Sequence, residues 1–162
     1  MTDPSVVVRP ATAQDEPFLL AVYASTRAAE LALTGWTSAQ QDAFVQQQYG
    51  AQRSHYEATF AGADLGVIEV DGVPCGRLWL WRAADQVRLL DIALLSDWQH
   101  RGIGEVLLER LQAEAAERGL PLRHAVAADN DGARRFYDRL GFVVEEDVGS
   151  HLFMRWEPPA SA

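Results

Sequence analysis

The sequence predicts a mixed α/β (α+β) fold in a single domain over residues 5–157. The chain has 162 residues and is 48% hydrophobic, which suffices for one sizeable core. Segments with helical and with strand periodicity are interspersed along it. Three strand-like runs follow one another in the middle, at 65–70, 76–82 and 87–95. The tail at 158–162 is expected to fray.

The first part of the chain is predicted to form one strand and two helices. Residues 6–9 are the strand, and Thr12 or Asp15 caps the first helix. The second helix is predicted to begin at Ser38, because Ser38 and Gln41 match a capping box.

The three middle runs are predicted to form an antiparallel meander. In the central run, leucines and tryptophans alternate, so both faces are apolar and the strand belongs inside the sheet: Leu78, Trp79, Leu80 and Trp81. The rest of the chain predicts a helix, a strand, a helix and two strands, at 105–118, 122–127, about 131–140, 142–146 and 151–156.

The charge composition indicates which classes of molecule the protein can bind. The chain carries 23 acidic and 14 basic residues, a formal net charge of −9. This charge repels nucleic acids and anionic membranes and suits a cationic amine substrate. The first residues lack the basic and apolar regions of a signal peptide, so a cytoplasmic protein is expected.

No metal site is predicted. Cys75 is the only cysteine, which excludes an internal disulfide and a multi-thiolate zinc site. The histidines lack the short spacing of a metal motif: His55, His100, His124 and His151.

The run from Gln99 to Gly104 has the pattern of a phosphate-binding turn. Two glycines, Gly102 and Gly104, stand between an apolar strand and a helical segment. Such a turn lets backbone N–H groups converge, and the helix dipole adds positive potential there. The local pattern alone also suits an ordinary strand-to-helix turn.

Two motifs and the order of elements resemble the acetyl-CoA-dependent N-acetyltransferases of the GNAT superfamily. Gln99-x-x-Gly102-x-Gly104 matches the family's Arg/Gln-x-x-Gly-x-Gly/Ala signature. A second signature is matched by Asn130, Ala133, Tyr137, Gly141 and Phe142, with Phe136 in place of a leucine. The resemblance implies a GNAT fold, a mixed central sheet of about six to seven strands flanked by about four helices, and acetyl-CoA as cosubstrate.

The resemblance also implies roles in binding coenzyme A. Backbone N–H groups of the turn would bind the pyrophosphate, the main chain at Leu94 would hold the pantetheine arm, and Asn130 would contact the cofactor, cap a helix, or do both. The implied set is Leu94, Gln99, His100, Arg101, Gly102, Ile103, Gly104, Glu105, Asn130 and Tyr137. The Glu105 side chain is expected to point away, because its carboxylate would repel phosphate.

Tyr137 is the candidate general acid. A phenol with a pKa near ~10 can protonate a departing thiolate whose pKa is near ~8.5. The alternative is that Tyr137 only packs in the buried stripe of its helix.

The general base is less evident. Arg88 and Leu90 stand where related enzymes carry Glu or His, and neither can serve. Asp91 follows in an apolar run and is either a base or a structural hydrogen-bonding group; strand alternation favours the structural role. Glu69 is a second candidate, and a chain of waters is favoured over both.

The function implied by this resemblance is transfer of an acetyl group from acetyl-CoA to a primary amine by direct attack. The acceptor is then a small-molecule amine or a peptide amine. Two alternatives remain open at this stage: a CoA-binding or sensing module without turnover, and an enzyme that acetylates protein N-termini or lysines. Dimerisation is common among such folds, so a homodimer is one further expectation.

Overall fold

The computed structural model describes residues 5–160, and within them the chain forms one seven-stranded sheet and four α-helices. The elements are β1 (Val6–Pro10), α1 (Glu16–Leu31), α2 (Ser38–Thr59), β2 (Asp64–Val70), β3 (Val73–Arg82), β4 (Val87–Leu94), α3 (Ile103–Arg118), β5 (Leu122–Ala127), α4 (Asp131–Arg139), β6 (Val143–Asp147) and β7 (His151–Trp156). The strand order is β1-β2-β3-β4-β5-β7-β6. The predicted mixed α/β fold class is confirmed.

The chain divides into two compact units. Of the described residues, the first comprises 5–79 together with Asp91–Ile103; the second comprises Leu80–Leu90 and 104–160. The single domain over residues 5–157 stays a prediction. Of the predicted frayed tail, Ser161 and Ala162 lie outside the described residues.

In the first unit, α1 and α2 bury their apolar faces with β2. The shared core consists of Leu19, Tyr23, Leu31, Val45, Tyr49 and Val67. The ends of β2 and β3 are joined by the turn at Asp71 and Gly72, both with positive φ, as a tight hairpin requires. The order of β2, β3 and β4 as neighbours agrees with the predicted meander.

α2 begins at Ser38, as predicted, but its capping box lies one residue earlier than the predicted pair Ser38 and Gln41. Thr37 is the N-cap: its hydroxyl accepts from the Gln40 backbone N–H at 3.2 Å, and the Gln40 side chain accepts from the Thr37 N–H at 2.9 Å. A hydroxyl residue is followed three positions later by glutamine both at Thr37 and Gln40 and at Ser38 and Gln41. The sequence alone therefore does not distinguish the two capping boxes. At α1, Thr12 and Asp15 together close a short 3₁₀ turn before Glu16.

β3 is buried through its centre, as its two apolar faces predict. Trp79 is 3% exposed. At Gly76, an added Cβ would lie only 2.2 Å from the Ala93 carbonyl oxygen, so β4 approaches β3 too closely for any other residue. β3 also begins at Val73, three residues before the predicted start at 76.

In the second unit, β5 joins strands of opposite direction. Its first three residues pair in parallel with Val87–Leu89 of β4, whereas all six pair antiparallel with β7. β6 runs along the other side of β7, and its five residues are all exposed. The core of this unit includes Leu107, Leu108, Leu111, Leu122, Val126, Leu152 and Met154.

No helix within residues 5–160 combines the length and the apolar character that crossing a membrane requires.

We expect Glu114→Gln to lower the melting temperature at pH 7 by about 1–3 °C, as for a partly exposed ion pair. Glu114 on α3 accepts from Arg82 at 2.6 Å, and this hydrogen bond lowers the pKa of the Glu114 carboxyl. Because the folded-state pKa lies below the unfolded one, the stabilisation is present above about pH 4.3 and is lost as the pH falls through the folded value.

Circular-dichroism melts between pH 3 and 7 measure this effect. The control is Glu109→Gln, an exposed position on the same helix. If the difference in melting temperature between Glu114→Gln and the wild-type protein were the same at pH 3 and pH 7, Glu114 would not stabilise the fold through its charge.

Candidate active site

The turn between β4 and α3 brings backbone donors together. After a short 3₁₀ turn at Ser96–Trp98, His100 and Gly102 adopt left-handed backbone conformations, with φ of +62° and +81°. A turn that alternates backbone conformation in this way forms a concave nest of N–H groups suited to an anion. α3 begins at Ile103, so its unpaired N–H groups and positive dipole end lie in the same segment.

Gln99 ties this turn to the end of β4. Its side-chain amide donates to the Leu94 carbonyl oxygen at 2.9 Å. Both residues are among the predicted cofactor-binding positions, and the structure shows an internal contact between the Gln99 side chain and the Leu94 main chain. The exposed Gln99 thus stabilises the conformation of the turn.

Arg101 places a positive charge beside the turn. Its guanidinium lies 5.0 Å from the centre of the Trp98 ring, a cation–π distance. A cavity of about 410 Å³ in the first unit is lined by both side chains, together with Val70, Asp71, Val73 and Ile103. Glu105 is exposed in the first turn of α3; the expectation that its carboxylate points away from the anion stays a prediction.

Asn130 caps α4, one of its two predicted roles. Its side-chain oxygen accepts from the Ala133 N–H at 3.1 Å. The capped helix carries Tyr137, which is 4% exposed.

Tyr137 lies within a cluster of rings in the second unit. The ring centres of Phe136, Phe142 and His124 are 5.1, 5.3 and 4.8 Å from that of Tyr137. The Nδ1 atom of His124 lies 2.9 Å from the Leu89 carbonyl oxygen, which only accepts, so this nitrogen carries the proton. The sequence did not indicate a role for His124 beside Tyr137. The available signal was a single histidine within the largely apolar β5.

Asp91 forms an ion pair with Arg77, a residue that the sequence analysis also missed. The Nε atom of Arg77 donates to Oδ2 of Asp91 at 2.6 Å. The Arg77 side chain is 2% exposed, whereas that of Asp91 is 24% exposed. Arg77 and Asp91 are opposite charges in the apolar runs of two neighbouring strands, and this was the signal available in the sequence.

Glu69 is held in a different network. It accepts from Nε of Arg9 at 2.9 Å, and the same guanidinium donates to both carboxylate oxygens of Asp15 at 2.8 Å. The hydrogen bonds from Arg9 hold the pKa of the Asp15 carboxyl well below its usual range. The Glu69 carboxylate is therefore already paired with Arg9 of β1.

Neither a metal cluster nor an activated thiol is evident in the part of the chain that the structure describes. Among residues 5–160, no three His, Cys, Asp or Glu side chains gather in a way that would hold a metal ion. Cys75 is fully buried, and this burial raises the pKa of its thiol. A protonated, inaccessible thiol is a poor nucleophile.

Two kinds of sequence comparison relate the chain to N-acetyltransferases. Residues 26–142 match the model of the Acetyltransferase (GNAT) family. The chain is 30% identical over 84 residues to the uncharacterized N-acetyltransferase CgeE of Bacillus subtilis, and 37% identical over 92 residues to the 5-NmdU N-acetyltransferase of Pseudomonas phage PaMx11. These alignments cover 51% and 54% of this chain, and 32% and 63% of the curated relatives.

Solved structures share the fold. PaiA N-acetyltransferase of Thermoplasma acidophilum, in complex with coenzyme A, superposes with a TM-score of 0.71 at 20% identity, over 94% of this chain and 99% of its own. An acetyltransferase of Thermus thermophilus gives a TM-score of 0.67 at 22% identity, over 97% and 99% of the two chains.

We expect opposite effects from alanine at the two glycines of the turn. Gly102→Ala costs about 1 kcal/mol in unfolding free energy, because φ is +81° there although a Cβ would meet no atom within 4 Å. Gly104→Ala is the matched control: its Cβ would lie at an ordinary 3.7 Å from the Phe136 ring, so stability should be kept or slightly raised. Urea unfolding measures both, and a larger loss in Gly104→Ala would contradict the strained turn.

Proposed function

We propose that this chain, which belongs to the GNAT acetyltransferase family, transfers an acetyl group from acetyl-CoA to a primary amine. The observation that carries the proposal is the turn before α3. The residues Gln99, Gly102 and Gly104 match the family's pyrophosphate signature, and His100 and Gly102 within it have left-handed backbone conformations. A signature in a turn that can direct N–H groups at an anion is stronger support than the sequence pattern alone.

In this proposal the turn binds the pyrophosphate of coenzyme A. The N–H groups from His100 to Glu105 donate to its oxygens, and the N-terminus of α3 stabilises its negative charge. Arg101, on the exposed side of the turn, supplies a further positive charge. The main chain near Leu94 holds the pantetheine arm, and Asn130 combines its capping bond with a contact to the cofactor.

The proposed reaction needs no covalent enzyme intermediate. The neutral amine attacks the thioester carbon, a C–N bond forms and the C–S bond breaks. The Tyr137 phenol gives its proton to the departing sulfur, and water carries away the proton that the nitrogen loses. The buried and protonated Cys75 supports direct attack over a thiol intermediate.

The acceptor is proposed by class only. The net charge of −9 favours a cationic amine, whether in a small molecule or in a peptide. The cytoplasmic location and the homodimer stay predictions.

The test is release of free thiol from acetyl-CoA with a panel of small primary amines and of peptides with free N-termini or lysines. The proposal expects thiol release that depends on one class of amine. Preference for peptides would assign a protein acetyltransferase, whereas tight CoA binding without thiol release from any amine would favour a sensing module.

We expect Tyr137→Phe to lower kcat by about 10²-fold or more, as loss of a general acid does, and to change the Kd for CoA by less than twofold. The control is Phe136→Leu, which alters a neighbouring ring 5.1 Å away and leaves the phenol intact. Steady-state kinetics and CoA titration measure the two quantities. Equal losses of turnover and CoA binding in Tyr137→Phe would instead indicate a packing role.

A further inference from the structure

Arg77 is a charged side chain in the core of the first unit. It is 2% exposed, and its Nη1 atom is buried with no hydrogen-bond partner among the described residues. Burying an arginine is costly, and apolar residues of similar volume often replace buried ion pairs without loss of stability. Stability alone is therefore a poor explanation for the pair between Arg77 and Asp91.

The surroundings of Arg77 hold its guanidinium in one place. Its Cζ atom lies 5.4 Å from the centre of the Tyr23 ring on α1, and Nη2 donates to Gln52 Oε1 on α2 at 3.1 Å. Nε donates to Asp91 on β4 at 2.6 Å. Residues of two helices thus hold the guanidinium, and its hydrogen bond to Asp91 orients the carboxylate.

Asp91 keeps one oxygen available. Its Oδ2 atom accepts the bond from Arg77, while Oδ1 has no hydrogen-bond donor among the described residues, and the side chain is 24% exposed. An ionised carboxylate accepts several hydrogen bonds, so Oδ1 is an oriented acceptor with negative charge. The other candidate carboxylate, Glu69, already binds Arg9.

We propose that Oδ1 of Asp91 binds the ammonium group of the acceptor, and that Arg77 is the positioning residue that orients it. The proposal rests on the proposed acetyl transfer and names the group that recognises the acceptor. A primary alkylammonium carries N–H donors and a positive charge that complement this oxygen. The bound ammonium loses one proton to water before the neutral nitrogen attacks.

Binding of n-butylammonium to the CoA-loaded protein tests the site without requiring turnover. Titration at pH 7, followed by ligand-observed NMR, should show at least fivefold weaker binding in Asp91→Asn and in Arg77→Met than in the wild-type protein. The double variant should bind no more weakly than Asp91→Asn, because Arg77 acts through Asp91. Neutral n-butanol should bind equally to all of them.

Arg82→Met is the matched control. Arg82 forms an ion pair of the same 2.6 Å length with Glu114, and neither residue has a proposed role in binding the acceptor. Its n-butylammonium affinity should equal that of the wild-type protein. Circular dichroism checks folding; if Arg77→Met unfolds, Arg77→Lys, which keeps the charge but not the fork of donors, takes its place and should retain intermediate affinity.

With an amine that is turned over, Asp91→Asn and Arg77→Met should raise the KM for that amine at least fivefold and leave the KM for acetyl-CoA within twofold. Equal n-butylammonium affinity in wild type and Asp91→Asn would overturn the proposal, as would wild-type protein that binds n-butylammonium no better than n-butanol. Asp91-dependent ammonium binding without thiol release from any amine would refute the acetyl transfer and leave the ammonium site standing.

Discussion

The site depends on one backbone constraint, the pair of left-handed residues at His100 and Gly102 that directs the chain from β4 into α3. Left-handed backbone is unfavourable for most L-residues, and the chain adopts it twice in three positions. This conformation leads into the start of α3, where the N–H groups of the first turn have no intrahelical acceptors. A bound anion would accept hydrogen bonds from these N–H groups.

The sheet provides the second constraint. Gly76 lets the two central strands approach each other so closely that a methyl group at this position would overlap the Ala93 carbonyl oxygen. One residue further along β3, Arg77 reaches across to Asp91 on β4. Two neighbouring, largely apolar strands thus carry a pair of opposite charges between them.

Much of the fold follows from sequence periodicity, and its details depend on competition between similar local patterns. Residues 122–127 and 151–156 were predicted with the bounds that the structure has, because turn residues flank each run. The start of α2 at Ser38 was predicted, but its capping box was assigned one residue late because both Thr37 and Ser38 offer one. Gly50, which weakens a helix, is exposed on α2 and is tolerated there because the packing of the other face stabilises the helix.

The contacts of the candidate site residues were harder to predict from the sequence than the secondary structure. Motif spacing identifies the turn and Tyr137, but the partners of Asp91 depend on strand register and on helix packing, which a single sequence does not specify. Hydrogen exchange of the backbone amides with and without coenzyme A tests whether this turn binds the cofactor. Coenzyme A should protect the amides of residues 100–105 above all others; protection elsewhere, with these amides unchanged, would contradict the proposed binding mode.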